Sequence, residues 1–338
     1  MATFAGFDHL YVVVAGQVLV HLHGVARGHR GGKRIDDQQD LHAIARYLRP
    51  IGHLTQVTAR GKPSWRADSL PPWCSGNNEG MKIVVCVKQI PDPAAPGSLD
   101  PSTNALKRDG KLILDDSDAY GVEMALQLVT AAGGGEVSIV SMAPNGETSG
   151  MRTALAMGAV RGVLVSDPAL AGSDALTTAR VLAAAVQKVG MPDLVIAATE
   201  STDGYTGTVP AQMAEVLGLP SVTFAKKVKV DGGMLKIDRQ TEDGYDEVEC
   251  PLPALVSVTA GVVEPRYPSF KGIMDAKKKE VITVTASDLG ITPVGWAGAG
   301  QKVSSVTQAE ARQAGQVFED DGEAFNKIVA FLETLKVI

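Results

Sequence analysis

The sequence predicts an α/β protein. A doubly wound, mostly parallel sheet is extended by a small antiparallel β segment and followed by a C-terminal arm and helix. Three observations predict it. From Met81 onward, short apolar runs alternate with amphipathic stretches. The first run is apolar almost throughout rather than alternating, as strands buried on both faces require. Small residues are abundant, with 36 glycines and only 5% aromatics, which suits closely packed βα units.

The elements follow in order. Residues 82–88 (KIVVCVK) form the first buried strand. Residues 119–132 place Val122, Ala125, Leu126 and Val129 on one helical face. A strand over 136–142 and a helix over 150–157, ended by Gly158, come next. The pattern continues with a strand over 163–165, a helix over 175–189, the strand LVIAA at 194–198 and a helix over 212–217. After Pro220 the rhythm changes. KKVKV and MLKID flank Asp231-Gly232-Gly233, a hairpin signal, and EVECPLPALVSVTA continues as β. Residues 286–308 lack periodicity and read as an extended arm that needs a surface to lie against. A last helix over 324–335 carries Phe325, Ile328, Val329 and Leu332 as an apolar stripe.

Residues 1–80 differ in kind. All six histidines and two of the three tryptophans lie there, with nine Lys/Arg against six Asp/Glu; the remainder carries 23 against 32. Six histidines would suit a metal-binding extension. The weak periodicity after about residue 22 instead suggests sequence translated from a start codon set too early, not natively structured. The domain boundaries expected are therefore 1–80, 81–285 and 286–338. The overall net charge of −6 gives no nucleic-acid signature. Three cysteines at unrelated spacings predict neither disulfides nor a zinc site and fit a reducing cytoplasm. No apolar run reaches the roughly 20 residues of a membrane span.

In open α/β sheets, ligands bind beyond the carboxyl ends of the strands where strand order reverses. The loop after LVIAA, TESTDGYTGTVPAQMAE, is the best candidate. Ser201, Thr202, Asp203, Thr206 and Thr208 supply polar groups, Gly204 and Gly207 permit close backbone approach, and Pro210 suits the first turn of a helix. Free N–H groups there would favour a phosphate, although an ordinary capped βα loop would look similar. No GxGxxG or Walker pattern follows a strand. Asp115, Asp116 and Asp118 precede a helix and serve either as caps or as ribose contacts. With no histidine after Met81, no Ser-His-Asp or Cys-His arrangement exists, and no catalytic residue or metal ligand is assigned. Cys86 reads as core. The chain looks like a nucleotide holder.

One stretch resists this reading. EPRYPSFKGIMDAKKKEV, 264–281, sets Phe270 between polar residues, with Ile273 and Met274 close behind and three lysines at its end. Together with KIVVCVKQIPD at the first strand, MRTALAMGAVRG at 151–162 and IDRQTEDGYDEVECPLPALVSVT at 237–259, it resembles the beta (small) subunit of electron transfer flavoproteins. Asp246 and the TGTVP segment depart from the usual family pattern. The resemblance implies a heterodimer with an alpha subunit that holds most of a shared FAD, while this subunit holds a structural AMP. The AMP-contacting positions it implies are Cys86, Asp115, Asp116, Ser117, Asp118, Met142 and the run Leu194–Val209, which includes Thr199, Glu200, Ser201, Thr202, Asp203, Gly204, Tyr205, Thr206, Gly207, Thr208 and Val209. It also implies that 264–281 docks partner dehydrogenases through Glu264, Arg266, Tyr267, Ile273 and Met274 around an anchor, Phe270, and that the lysines cover the interface or a solvated helix face. Electrons would pass from acyl-CoA and related dehydrogenases towards a membrane quinone oxidoreductase. Two alternatives remain: a stand-alone nucleotide-binding regulator of the stress-protein type, and a bifurcating flavoprotein with a second FAD in place of AMP.

Overall fold

The computed structural model describes residues 10–14, 18–22, 80–94, 97–108, 110–143, 145–307, 317–319 and 322–337. Within the first 79 residues it describes an antiparallel pair, β1 (Leu10–Val14) and β2 (Val18–Leu22), in register Leu10↔Leu22. Their β-branched and apolar residues favour extended backbone. The other expectations for residues 1–79 fall outside the described residues.

The chain divides into two compact units, 1–302 and 303–338. The first is built on a nine-stranded sheet of order β11-β10-β9-β12-β8-β3-β6-β7-β13. Its parallel strands are β3 (Met81–Cys86), β6 (Gly135–Met142), β7 (Arg161–Val165), β8 (Leu194–Ala198), β9 (Ser221–Asp231), β12 (Ala254–Val258) and β13 (Val281–Val284). β10 (Met234–Gln240) and β11 (Tyr245–Pro251) continue the same sheet antiparallel. Two short strands, β4 (Gln89–Pro91) and β5 (Leu112–Leu114), pair separately.

The central strands divide their side chains between two cores. Ile83 and Val85 of β3 and Ile139 of β6 face α1 (Asp116–Ala131) and α2 (Ser149–Met157). Val84, Cys86 and Val140 face α3 (Ala175–Val189) and α4 (Val209–Leu217). Burial on both faces is why MKIVVC reads as a continuous apolar run.

Three features go beyond the sequence reading. ALVSV, expected only as continued β, is β12, a fully buried parallel strand between β8 and β9. Strand order is a non-local property, so the continuous β-like run from β11 into β12 hid the break between them. Residues 264–281 contain α5 (Phe270–Ala276), N-capped by Ser269, and run into β13. The front of the unpatterned arm lies against this same chain. Its short helix α6 (Gly295–Gly298) packs at the start of α3, where the Thr177 hydroxyl donates to Gly298 O, and Ser173 Oγ and Asp174 Oδ2 accept from the N–H groups of Gly295 and Gly300. The second unit carries α7 (Ala324–Thr334), on which Phe325, Ile328 and Val329 are exposed.

Where β6 enters beside β3, Gly135 has φ +139°, and a Cβ there would overlap the Met81 carbonyl. Only glycine satisfies both conditions. Gly135→Ala should destabilise the protein by about 1–3 kcal/mol, measurable as a lowered denaturant midpoint.

Candidate functional site

Adjacent strands β3 and β8 send their chains in opposite directions. β3 leads through α1 to β6 on one side, and β8 leads through α4 towards β9 on the other. The crevice between their carboxyl ends is the reversal point at which ligands bind in such sheets. A cavity of about 320 Å³ opens there. Its floor is apolar, formed by Cys86, Met142, Leu182, Ala197 and Met213; Lys88, Arg108, Asp118 and the loop after β8 supply polar groups.

Two helices begin at this cavity, at Asp174 and Ala175 for α3 and at Val209 and Pro210 for α4. They differ at their first turns. Asp174 caps α3, its carboxylate accepting from Thr177 N at 2.9 Å. Thr208 makes no side-chain cap bond at the start of α4. Pro210 sacrifices nothing there, because first-turn N–H groups have no intrahelical partner. The positive end of α4 is thus open to an anion. Gly207, with φ +68°, turns the backbone into this position.

Carboxylates hold the walls in place. Asp115 is fully buried and accepts from Ser117 N at 3.0 Å and from Thr202 N at 2.7 Å. Asp118 accepts from Lys88 N at 2.6 Å. Asp203 joins Lys88 Nζ at 2.5 Å and Arg108 Nη2 at 2.6 Å. Burial works against the Asp203 charge, but the Lys88 ammonium and then Arg108 outweigh it and hold its carboxyl below the usual range. Asp118 goes the other way: burial, with Asp115 nearby, raises it well above an ordinary aspartate, although Lys88 N–H opposes the shift. Burial pushes the Cys86 thiol up to about 12, which disfavours the thiolate that a nucleophile needs.

Of the residues singled out from the sequence, Cys86, Asp118, Met142, Thr199, Glu200, Ser201, Thr206, Gly207 and Val209 line the cavity. Asp115, Thr202 and Asp203 stand behind it as struts. Asp116, Ser117, Gly204, Tyr205 and Thr208 do not line it, and Tyr205 is two-thirds exposed. Sequence reasoning missed Lys88, Arg108 and the start of α3. Asp174 ahead of a helical run was a legible cap signal, but nothing local pointed it at a ligand.

The 264–281 segment lies elsewhere, and none of its residues lines the cavity. Tyr267 is 94% and Phe270 82% exposed, with Ile273 and Met274 each about half exposed. Glu264 is exposed, and Arg266 forms a two-pronged ion pair with Glu123 of α1, Nε to Oε2 at 2.6 Å and Nη2 to Oε1 at 3.0 Å. Lys277 and Lys278 are exposed. Lys279 is partly buried: its Nζ donates to Leu155 O and Ala159 O at the end of α2, because the last carbonyls of a helix attract a cation.

The electron transfer flavoprotein domain model matches residues 103–289. An electron transfer flavoprotein subunit beta from Mycobacterium tuberculosis is 41% identical over 263 residues, covering 76% of this chain and 99% of the relative. The chain belongs to the electron transfer flavoprotein beta-subunit family. Another beta subunit, from Thermoanaerobacterium thermosaccharolyticum, is 36% identical over 263 residues, covering 76% of this chain and all of the relative. The caffeyl-CoA reductase–Etf complex subunit CarD of Acetobacterium woodii is 37% identical over 214 residues, 63% of this chain and 81% of CarD. The departure from the family pattern at Asp246 is accommodated on β11, where its carboxylate lies 3.7 Å from Arg239 on β10. Among the described residues no cluster of metal-ligating side chains occurs, and no helix is long and apolar enough to cross a membrane.

A buried acid whose folded pKa lies above its unfolded value stabilises the fold at low pH, and that stability is lost as pH rises towards the folded pKa. Asp118→Asn keeps a carbonyl to accept from Lys88 N and removes the titration. Thermal unfolding from about pH 4 to pH 8 should therefore show a flatter stability profile in the variant than in the parent.

Proposed function

We propose that this chain is the nucleotide-holding and docking half of a heterodimeric electron carrier. In this reading it binds an alpha subunit, holds AMP in the cavity between β3 and β8, and shares an FAD held mainly by the alpha subunit. FAD, when bound, supplies the redox chemistry. Electrons come from acyl-CoA and related dehydrogenases and go towards a membrane quinone oxidoreductase, and this chain makes and breaks no bonds of its own.

The observation that carries the reading is the cavity. Its apolar floor suits a base, and the uncapped start of α4 suits a phosphate. At about 320 Å³ it has room for a mononucleotide. A stand-alone regulator would have no use for the exposed knob of Tyr267, Phe270, Ile273 and Met274, or for the bare apolar residues of α7, which suit the alpha subunit.

Co-production with an alpha subunit of the same family should yield a yellow heterodimer. Extraction and chromatography of its nucleotides should give one FAD and one AMP. Two FAD and no AMP would replace this reading by the bifurcating one, and a colourless, nucleotide-free monomer would overturn both. Phe270→Ala in the heterodimer should retain flavin but raise the KM for its reduction by an acyl-CoA dehydrogenase by about tenfold or more, the effect of removing an anchor residue from an interface. Unaltered steady-state kinetics would remove Phe270 from the docking surface.

A further inference from the structure

We propose that Arg152, Lys279 and the Glu123–Arg266 pair are positioning residues that hold α5 in its docking pose before any partner arrives. This rests on the docking function proposed for α5. The helix has seven residues, far below the length at which a helix is stable alone. Short surface helices usually survive by burying an apolar stripe. Here Phe270 points outward, Ile273 and Met274 are each about half exposed, and within α5 only Ala276 is buried. Much of its order must therefore come from other contacts.

Those contacts are polar and reciprocal. Arg152, on α2, donates from Nη1 to Ala276 O at 2.8 Å and Lys279 O at 2.7 Å, satisfying carbonyls at and beyond the end of α5. Lys279, three residues past α5, donates to Leu155 O at 2.8 Å and Ala159 O at 2.7 Å at the end of α2. Each element thus supplies the cation that caps the other's carboxyl end. Gly272 lets the backbones meet: a Cβ there would stand 2.5 Å from Ala156 O. At the amino side, Arg266 grips Glu123, whose other contact is Gln127 Nε2 at 2.9 Å. Glu123 is itself buried on α1, so the grip is anchored to a core helix. A knob ordered in advance spares the partner the entropy of ordering it.

The test uses the flavin-loaded heterodimer carrying Arg152→Met with Lys279→Met, and separately Arg266→Ala. Three quantities are read: flavin content, amide hydrogen exchange over 266–279, and kcat and KM for reduction by an acyl-CoA dehydrogenase. The proposal expects flavin retained, exchange of the α5 amides faster by about tenfold or more, KM raised roughly three- to tenfold, and kcat unchanged. Phe270→Ala should raise KM without speeding exchange, and adding it to the clamp variants should raise KM little further. Lys279→Arg, which keeps a cation at the α2 terminus, should restore most of the protection. Unchanged exchange in the clamp variants would overturn the proposal. Faster exchange with unchanged KM would also overturn it, while leaving the docking function intact if Phe270→Ala still raises KM. If Phe270→Ala has no effect, the docking function itself falls. If the double variant fails to assemble, Arg266→Ala carries the test, since that side chain is half exposed and not part of the core.

Discussion

The fully buried carboxylate of Asp115 ties together the two loops that form the cavity. One contact closes the first turn of α1, and the other reaches Thr202 in the loop after β8. Asp115 follows β5, which lies outside the nine-stranded sheet, whereas Thr202 follows β8, so no strand pairing within that sheet joins the two loops. A buried carboxylate is tolerated only when its acceptor capacity is used, and here the acceptors are used by backbone amides from both sides of the crevice. Asp118 and Asp203 repeat the device at the end of β3 and at the mouth.

The layout of the sheet was legible because central parallel strands must be apolar on both faces, and MKIVVC and LVIAA announce that directly. What stayed hidden was pairing. β12 follows β11 after two residues yet lies between β8 and β9, and β13, a four-residue VITV after a run of lysines, pairs with β7 more than a hundred positions earlier. Neither fact has a local signature. The site divides in the same way. Glycines and hydroxyls after a buried strand mark residues 199–209 as a ligand loop. Lys88 and Arg108 look like ordinary surface cations until Asp203 gathers them. The arm over 286–308 read as needing a surface to lie against, and its residues 295–300 find one on Ser173, Asp174 and Thr177 of their own chain.

The exposed segment shows how a short helix can be held without hiding its apolar side chains. Capping cations exchanged between α2 and the end of α5, a glycine at the contact, and one ion pair to α1 replace the usual buried stripe. Phe270 and Tyr267 therefore remain available at the surface.

Helix α1 carries both Asp118, which faces the cavity, and Glu123, which grips the exposed segment. They stand five positions apart, about 7.5 Å of axial rise. A single stiff rod thus carries one residue of the crevice wall and one that holds the exposed segment, so a tilt of α1 would displace both together.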